Sequence, residues 1–535
     1  MIGRVPIALT LALLVLVGLA AKLPEAVLPI GTDTGMYATY GRMILDGARP
    51  YVDFYDVHPP LTYYYWVLVQ ALAGTDWSRT CLGNWGTFAP QPCISLLAHA
   101  IDLGLSVVAG VLAYAIAQRL GLRPLVGLLA AVFVVWFANV SMISMEGSNP
   151  TKLTVVPSTL AVYAFIRSLD RGSSQHTWAI VAGASGILAG LAKQPGLLTL
   201  LALFAYGLPA ALRTPDGRRR MLGMTAGVLV VAAATGLFLW RVGSLGGFLD
   251  EAWRYNAERF LIGYWQTPAG LTSPATRIDR VATEAAGLLF VGALIGGLAL
   301  WLGPTRPPRR LLLVWGLFSL AAIAGFREFA QVVPSLALLA GLGIGRLWDQ
   351  ASRDGLGLGR PLAGRLGLVT LLGSIFVLSS SFQVIEVRRA MFERGPRGTP
   401  SDPEQIATFL RQVAPPGPLF AWGNAGQIYA LSGRQPATRF VIAEFTNTTS
   451  PRPDQSRSEV ISDLRTRPPS VIVVDPHTDE AGLQLRDFRG LALVLDACYA
   501  GVDPGTPVPG WGVFVESTAD GRCVPNAIAK LDLGA

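Results

Sequence analysis

Charge is what this chain has least of. Only 15% of its 535 residues are charged, 51% are hydrophobic and the mean hydropathy is +0.45. Soluble domains run near about 25% charged, so the shortage excludes an ordinary soluble protein. Cysteine and histidine are scarce too, at four residues each. No internal repeat is visible, which removes the usual mark of paired transporter halves. The net charge of +8 does not make a nucleic-acid face, because the arginines fall in short clusters between apolar runs. The chain reads as a polytopic membrane protein.

Apolar segments long enough to cross a bilayer run at 6–24, 94–117, 124–142, 151–168, 177–192, 195–212, 221–241, 281–302, 311–326, 331–348 and 365–384. That predicts about eleven transmembrane helices of the 17–25 residues a bilayer needs. The first run has a tolerable signal-peptide cleavage context at Ala20-Ala21, but its length and the spans after it fit a retained signal-anchor better. Arginines at 119 and 123, 167 and 171, 213 and 218–220, 306 and 309–310, and 346–365 occupy alternate loops. Placing them in the cytoplasm puts the N-terminus inside and residues 25–93, 143–150, 242–280, 327–330 and the C-terminal region outside. The protein is then multi-pass in the plasma (inner) membrane. Residues 59–74, PPLTYYYWVLVQALAG, would invert every later loop if they crossed. They read instead as an amphipathic helix on the outer surface, begun by Pro59 and Pro60.

The expected fold is an all-α polytopic domain at 1–384, with its first outer loop at 25–93 and a linker at 385–398. A soluble extracytoplasmic α/β domain follows at 399–535. The boundary is marked by ERGPRGTPSDP, 393–403. In the last part, 403–413, 424–433 and 458–467 read as helices. PLFAWG, SVIVVDP, LALVLDACY and WGVFVES read as strands of a mixed sheet. No nucleophile elbow, P-loop or zinc spacing occurs there. Cys81 with Cys93, and Cys498 with Cys523, make two outer pairs suited to an oxidising compartment; four free thiols are the alternative. The GLGLGRPLAG run at 355–364 lacks a preceding strand and reads as a connector. Asn139-Val-Ser and Asn447-Thr-Thr match glycosylation sequons, a pattern common by chance.

Residues 31–61, GTDTGMYATYGRMILDGARPYVDFYDVHPPL, hold the densest chemistry. They are too polar for lipid and lie directly after the first span. Asp33 stands at a predicted helix start, where it serves equally as an N-cap or as an ionised base fixed at the helix N-terminus. Asp53, Asp56 and His58 follow. Converging carboxylates and an imidazole hold sugar hydroxyls, bind a divalent metal or tune a base; the plainer roles are a loop clamp for Asp53 and a turn anchor for His58. Glu146, in SMEGSNPTK, is either a second acid lining a cavity or an exposed loop charge. Lys193 interrupts two apolar runs, and Arg327 and Glu328 interrupt two others. Charges at such depth usually face a cavity or a partner, and cations there suit a lipid phosphate. A bare Arg327–Glu328 ion pair is the alternative. His99 and Asp102 share a helix face and either bond each other within the bundle or form a proton path. Residues 253–266, WRYNAERFLIGYWQ, read as an interfacial helix over a cavity.

The order of these parts is a span, an Asp followed by a tyrosine-bearing helix, G-x-x-P-Y-x-D, then D-V-H-P-P-L. It resembles the GT-C superfamily of membrane glycosyltransferases, in particular the protein O-mannosyltransferase and aminoarabinose transferase branch. The string at 56–61 is the sharpest match; KQ-P at 193–195 and the charges before VVPSLALLAG are weaker echoes. The resemblance spans about 1–350 in layout. It implies a polyprenyl-phosphate-sugar donor, a glycan, lipid or protein acceptor hydroxyl, and two membrane-parallel helices in the first outer loop. It carries the base onto Asp33; the residues expected to bind substrate are Tyr37, Asp53, Asp56, His58, Glu146, Lys193, Arg327 and Glu328. Many members have Asp-Glu where this chain has Asp33-Thr34, which opens the question of acceptor class. The residues fix no cofactor and leave a divalent metal open, no nucleic-acid partner is expected, and the bilayer is the constant partner. The expected reaction is inverting sugar transfer on the outer face; a flippase for lipid-linked glycans is the rival.

Overall fold

A computed structural model describes residues 7–26, 29–82, 91–140, 143, 149–170, 172, 174–261, 281–283, 285–303, 307–326, 329–354, 361–379, 401–446, 450–475, 488–502 and 508–516. The protein is mostly helical, and the chain divides into two compact units. One takes residues 1–28, 98–237 and 272–393; the other takes 29–97, 238–271 and 394–535.

The first unit is a bundle of apolar helices, and each of the eleven segments read from hydropathy overlaps one within the described residues. Cys93–Arg119, Gln194–Arg213, Pro215–Arg241 and Phe329–Arg353 are long and apolar enough to cross a membrane by length and composition; Ile7–Leu23, Pro124–Ala138, Gly287–Leu302 and Gly364–Val377 are shorter apolar stretches. Phe329–Asp354 is the central helix of this unit, packed against Pro124–Phe137, Gly287–Leu302 and Pro307–Phe326. Two glycines set one of those crossings. A Cβ on Gly296 would sit 1.9 Å from the Leu339 carbonyl oxygen, and one on Gly343 would sit 2.3 Å from that of Gly292. Small residues let backbones approach this closely where lipid offers no hydrophobic drive for association. Trp315, fully buried, donates its indole N–H to Thr199 Oγ1 at 3.2 Å.

The second unit joins three stretches of chain. From the first loop come helices Thr32–Leu45 and Leu61–Ala73 and a short hairpin, Thr80–Leu82 with Gln91–Pro92, closed by the Cys81–Cys93 disulfide. Leu61–Ala73 follows Pro59 and Pro60, buries Tyr63, Tyr65, Trp66 and Val69, and leaves Leu68 and Leu72 exposed. The middle stretch is a π-helix, Phe248–Tyr255, continued by Asn256–Leu261. Residues 262–266 of the expected interfacial helix lie outside the described residues.

The C-terminal stretch carries a four-stranded mixed sheet. Leu419–Trp422 runs parallel to Val471–Val474, which pairs antiparallel with Gly512–Glu516, and Tyr499–Gly501 forms the other edge. Helices Asp402–Gln412, Gln427–Ser432 and Pro453–Thr466 lie where the sequence put them; Ser401 and Glu404 form a capping box, and Gly433 ends the second helix at φ +72°. LALVLDACY is a correction: Arg489–Cys498 is a helix, and only Tyr499–Gly501 is strand. Leu491, Val494, Leu495 and Cys498 are its buried residues, a helical spacing that outweighs β propensity. Cys498 is buried, and Cys523 lies outside the described residues. Asn139 is buried too, with its amide donating to the Val135 carbonyl at 2.8 Å, so that sequon is closed.

Candidate active site

Asp33 lies in the first turn of Thr32–Leu45 and is partly exposed. It is not the N-cap, because Gly31 holds that position in extended backbone. Its carboxylate still sits where a helix N-terminus favours negative charge. Residues 34–41 after it are buried, and Gly47 (φ +97°) follows the helix end at Asp46.

The DVHPPL loop is tied to this helix by two tyrosines. Tyr40 donates its hydroxyl to the Tyr55 carbonyl at 2.8 Å, and the Tyr37 hydroxyl lies 3.1 Å from Nε2 and 3.2 Å from Nδ1 of His58. Asp56 is fully buried, and its Oδ1 accepts from the Val57 N–H at 2.6 Å and from His58 Nδ1 at 2.9 Å. A carboxylate only accepts, so the proton of that pair sits on Nδ1 and Nε2 is left to accept from Tyr37. The His58 carbonyl takes two further hydroxyls, from Tyr51 at 2.7 Å and Tyr63 at 2.8 Å. Burial pushes the Tyr40, Tyr51 and Tyr63 phenols well above their ordinary value, so all three remain neutral donors. Tyr51 holds φ +62°, a conformation that costs about 1–3 kcal/mol and persists where the surroundings over-determine it. The aromatic rings of Tyr40, Phe54 and Tyr63 pack on one another beneath the loop, with Tyr40 stacked on Phe54 at 4.3 Å.

Sequence reasoning missed what holds the other side of this loop. Glu251, nearly fully buried on the π-helix, accepts from the Asp56 backbone N–H at 3.2 Å and pairs with Arg439. Burial pushes the Glu251 carboxyl up to about 8, against the pull of Arg439 and the Asp56 N–H. Arg439 also donates to the Tyr51 carbonyl at 3.0 Å and reaches Glu459 at 3.3 Å, while its guanidinium lies 5.3 Å from the Tyr55 ring centroid. Arg452 repeats the arrangement with Asp250 at 2.7 Å and Glu258 at 2.8 Å, and those hydrogen bonds hold both carboxyls below their usual range. The signal was available as acids at 250, 251 and 258, about two helical turns apart, but their partners lie 188 to 202 residues away.

The remaining residues are distributed as follows. Asp53 is held by Arg49, accepting from its backbone N–H at 2.7 Å and from its Nε at 3.3 Å. Burial works against the charge on Asp53, but the Arg49 bonds together outweigh it and keep the carboxyl below its ordinary value. Lys193 belongs to the other unit, in the turn before Gln194–Gly196, with Nζ 3.4 Å from Thr151 Oγ1. Glu146, Arg327 and Glu328 lie outside the described residues. In that same bundle Asp102 meets two lysines that sequence reasoning did not pair with it. Lys22, Glu25, Lys152 and Asp102 form an alternating ring with contacts of 2.5, 3.1, 3.6 and 3.4 Å, all four side chains buried. Among the described residues no group of three or more His, Cys, Asp or Glu is placed to hold a metal ion.

Residues 38–242 match the family model of dolichyl-phosphate-mannose-protein mannosyltransferases. The match takes in Asp53, Asp56, His58, Glu146 and Lys193, begins after Asp33 and Tyr37, and ends before Glu251. The fold is similar to that of ArnT from Cupriavidus metallidurans in the apo state, at 17% identity and TM-score 0.57, covering 95% of this chain and 97% of that one. The same enzyme bound to undecaprenyl phosphate matches at 15% identity and TM-score 0.55 over 96% and 98%. The Archaeoglobus fulgidus oligosaccharyltransferase in its apo form matches at 12% identity and TM-score 0.56 over 96% and 74%. No curated protein sequence matches significantly.

Proposed function

We infer that this protein is an inverting glycosyltransferase that moves a sugar from a polyprenyl-phosphate donor to an acceptor hydroxyl on the outer face of the inner membrane. The observation that carries the reading is Asp33. It is a partly open acid in the first turn of a helix whose next turns are pinned, through Tyr37 and Tyr40, to the DVHPPL loop. A base held in this way takes the acceptor's hydroxyl proton as the oxygen attacks the anomeric carbon. The lipid phosphate departs from the opposite face with the bond electrons, so a strong acid is unnecessary. What the leaving group needs is positive charge, and Lys193 and Arg327 are assigned that role. Tyr37, Asp56 and His58 are assigned to the sugar side of the site, and Asp53, Glu146 and Glu328 to substrate binding. The reading includes about eleven spans, a cytoplasmic N-terminus and a C-terminal α/β region outside, which lets the donor's tail stay in lipid. ArnT, whose fold is similar, is known bound to undecaprenyl phosphate.

The test is turnover. Purified full-length protein in nanodiscs is given a polyprenyl-phosphate-linked radiolabelled hexose, and release of lipid phosphate is measured with and without acceptor. Movement of the intact donor between leaflets without cleavage would replace this reading with the flippase.

A further inference from the structure

Beyond the first loop, the C-terminal stretch lies directly against the Asp33 helix. Thr32, the residue before Asp33, donates its hydroxyl to the Asn424 carbonyl at 2.8 Å. A Cβ on Gly35 would sit 2.3 Å from Gln427 Cα, and one on Gly426 would sit 3.1 Å from Met36 Cβ and 3.2 Å from the Thr32 carbonyl. Helix and loop therefore touch closely: a side chain at Gly35 would collide with the Gln427 backbone, and one at Gly426 would be tight. The loop 423–427, GNAGQ, leaves the carboxyl end of Leu419–Trp422, one of the two parallel strands, and turns at Gly423 (φ +117°). Ligands of open α/β sheets collect at that end of the strands.

Two further observations make this seam more than packing. Residues 34–40 and 425–432 are buried on both sides of it, whereas Thr32, Asp33 and Asn424 remain partly exposed, so the seam opens at the acid. Gln427 is only 8% exposed, and its Oε1 is buried without a hydrogen-bond partner. A buried carbonyl oxygen left unpaired costs about 1–3 kcal/mol, a cost that a bound hydroxyl donor would remove.

We propose that Asn424 and Gln427 form the acceptor subsite facing Asp33, and that the acceptor they take is a neutral sugar. This deepens, and rests on, the glycosyltransferase reading. Carboxamides both donate and accept, as sugar hydroxyls do. The loop carries no charged residue, so an anionic or cationic headgroup would find no partner in it. The subsite comes from the C-terminal stretch while the base comes from the first loop. Acceptor choice can thus change through residues 423–427 with the donor side untouched.

The variants are Asn424→Ala, which keeps the carbonyl that Thr32 uses, and Gln427→Leu, which keeps the buried volume. Asn424→Ser is the folding control for the first, and thermal midpoints are recorded for all. Two readouts separate the subsite from the reaction. Saturation-transfer NMR on full-length protein in nanodiscs reports binding of neutral methyl glycosides and short oligosaccharides without any turnover. Donor assays report the ratio of transfer to hydrolysis. The expected result is a tenfold or greater loss of glycoside binding in folded Asn424→Ala and Gln427→Leu, with an equal fall in the transfer-to-hydrolysis ratio. Unchanged glycoside binding in folded variants overturns the subsite. Loss of binding to a Ser/Thr peptide, with glycosides never bound, overturns the sugar class. Glycoside binding that depends on both residues in a protein that never cleaves donor would sustain the subsite and sink the glycosyltransferase reading instead.

Discussion

Both units bury charge, and they do it in opposite ways. In the helical unit Lys22, Glu25, Lys152 and Asp102 alternate around a closed ring that sums to zero, with every member facing two of opposite sign. In the second unit the polar network is branched and open-ended. Arg439 and Arg452 each serve two acids, Asp56 has one buried oxygen with no hydrogen-bond partner, and Asp33, His58 and Asn424 stay partly exposed. A closed ring inside apolar helices makes the assembly depend on all four members at once, since removing one strands its neighbours. The branched network leaves Asp56 Oδ2 buried without a hydrogen-bond partner. The first arrangement is suited to holding helices together; the second is where the proposed site lies.

The comparison is broken most severely at Asp33. Asp33→Asn should lower sugar transfer by about 10²–10⁴-fold, the usual contribution of a general base, while the thermal midpoint barely moves. Donor binding, followed separately, should stay near that of the native chain. Near-native turnover would place the base elsewhere, and Glu146 would be tested next.

Lys152→Met reads the closed ring. It leaves Glu25 and Asp102 with Lys22 alone, and breaking a buried ion pair typically costs about 3–5 kcal/mol. Thermal or denaturant unfolding in detergent should show a loss of that order. Adding Glu25→Gln to Lys152→Met should recover much of it, because the stranded charge is removed as well. A loss under about 1 kcal/mol would mean that the ring is solvated and that its members act independently.

Much of this was legible. Long apolar runs placed the helices. Asp33, Asp56 and His58 could be picked out because acids and an imidazole are rare in so apolar a chain. The missing part is long-range. Lys22 meets Asp102 across 80 positions, Glu25 meets Lys152 across 127, and Thr32 meets Asn424 across 392. No local period encodes such pairs. The same limit explains why the first outer loop and the C-terminal stretch read as separate parts of the chain and fold in one unit. Arg489–Cys498 failed differently. Its helical spacing was present in the sequence, but Val and Leu in a short run also suit a buried strand, and periodicity alone does not separate the two.

Glu251 gives a smaller effect with a definite sign. Its carboxyl is raised by burial from 4.5 to about 8 in the folded protein. The folded state therefore binds the extra proton between those values. Stability from this group is complete below about pH 4.5 and is lost as pH rises toward 8. Subtracting the stability–pH curve of Glu251→Gln from that of the native chain should leave a decline across this window. A flat difference would show that Arg439 keeps Glu251 ionised throughout.

Asp53 should matter least, and its size of effect is informative. Its carboxylate is satisfied by Arg49, and both side chains are substantially exposed at 40% and 53%. Exposed pairs of this kind are worth about 0–1 kcal/mol, so Asp53→Asn should shift stability by no more than that. If Asp53 only clamps the loop, Asn still accepts the Arg49 N–H and transfer should fall less than tenfold. If the carboxylate instead leaves Arg49 to bind the donor's sugar, the half-saturating donor concentration should rise tenfold or more at unchanged stability. Arg49→Ala separates the two: it loosens a clamp, whereas it frees a sugar-binding carboxylate and should leave donor binding intact or tighter. The outcome decides whether the acid belongs to the open network around Asp33 or stands outside it.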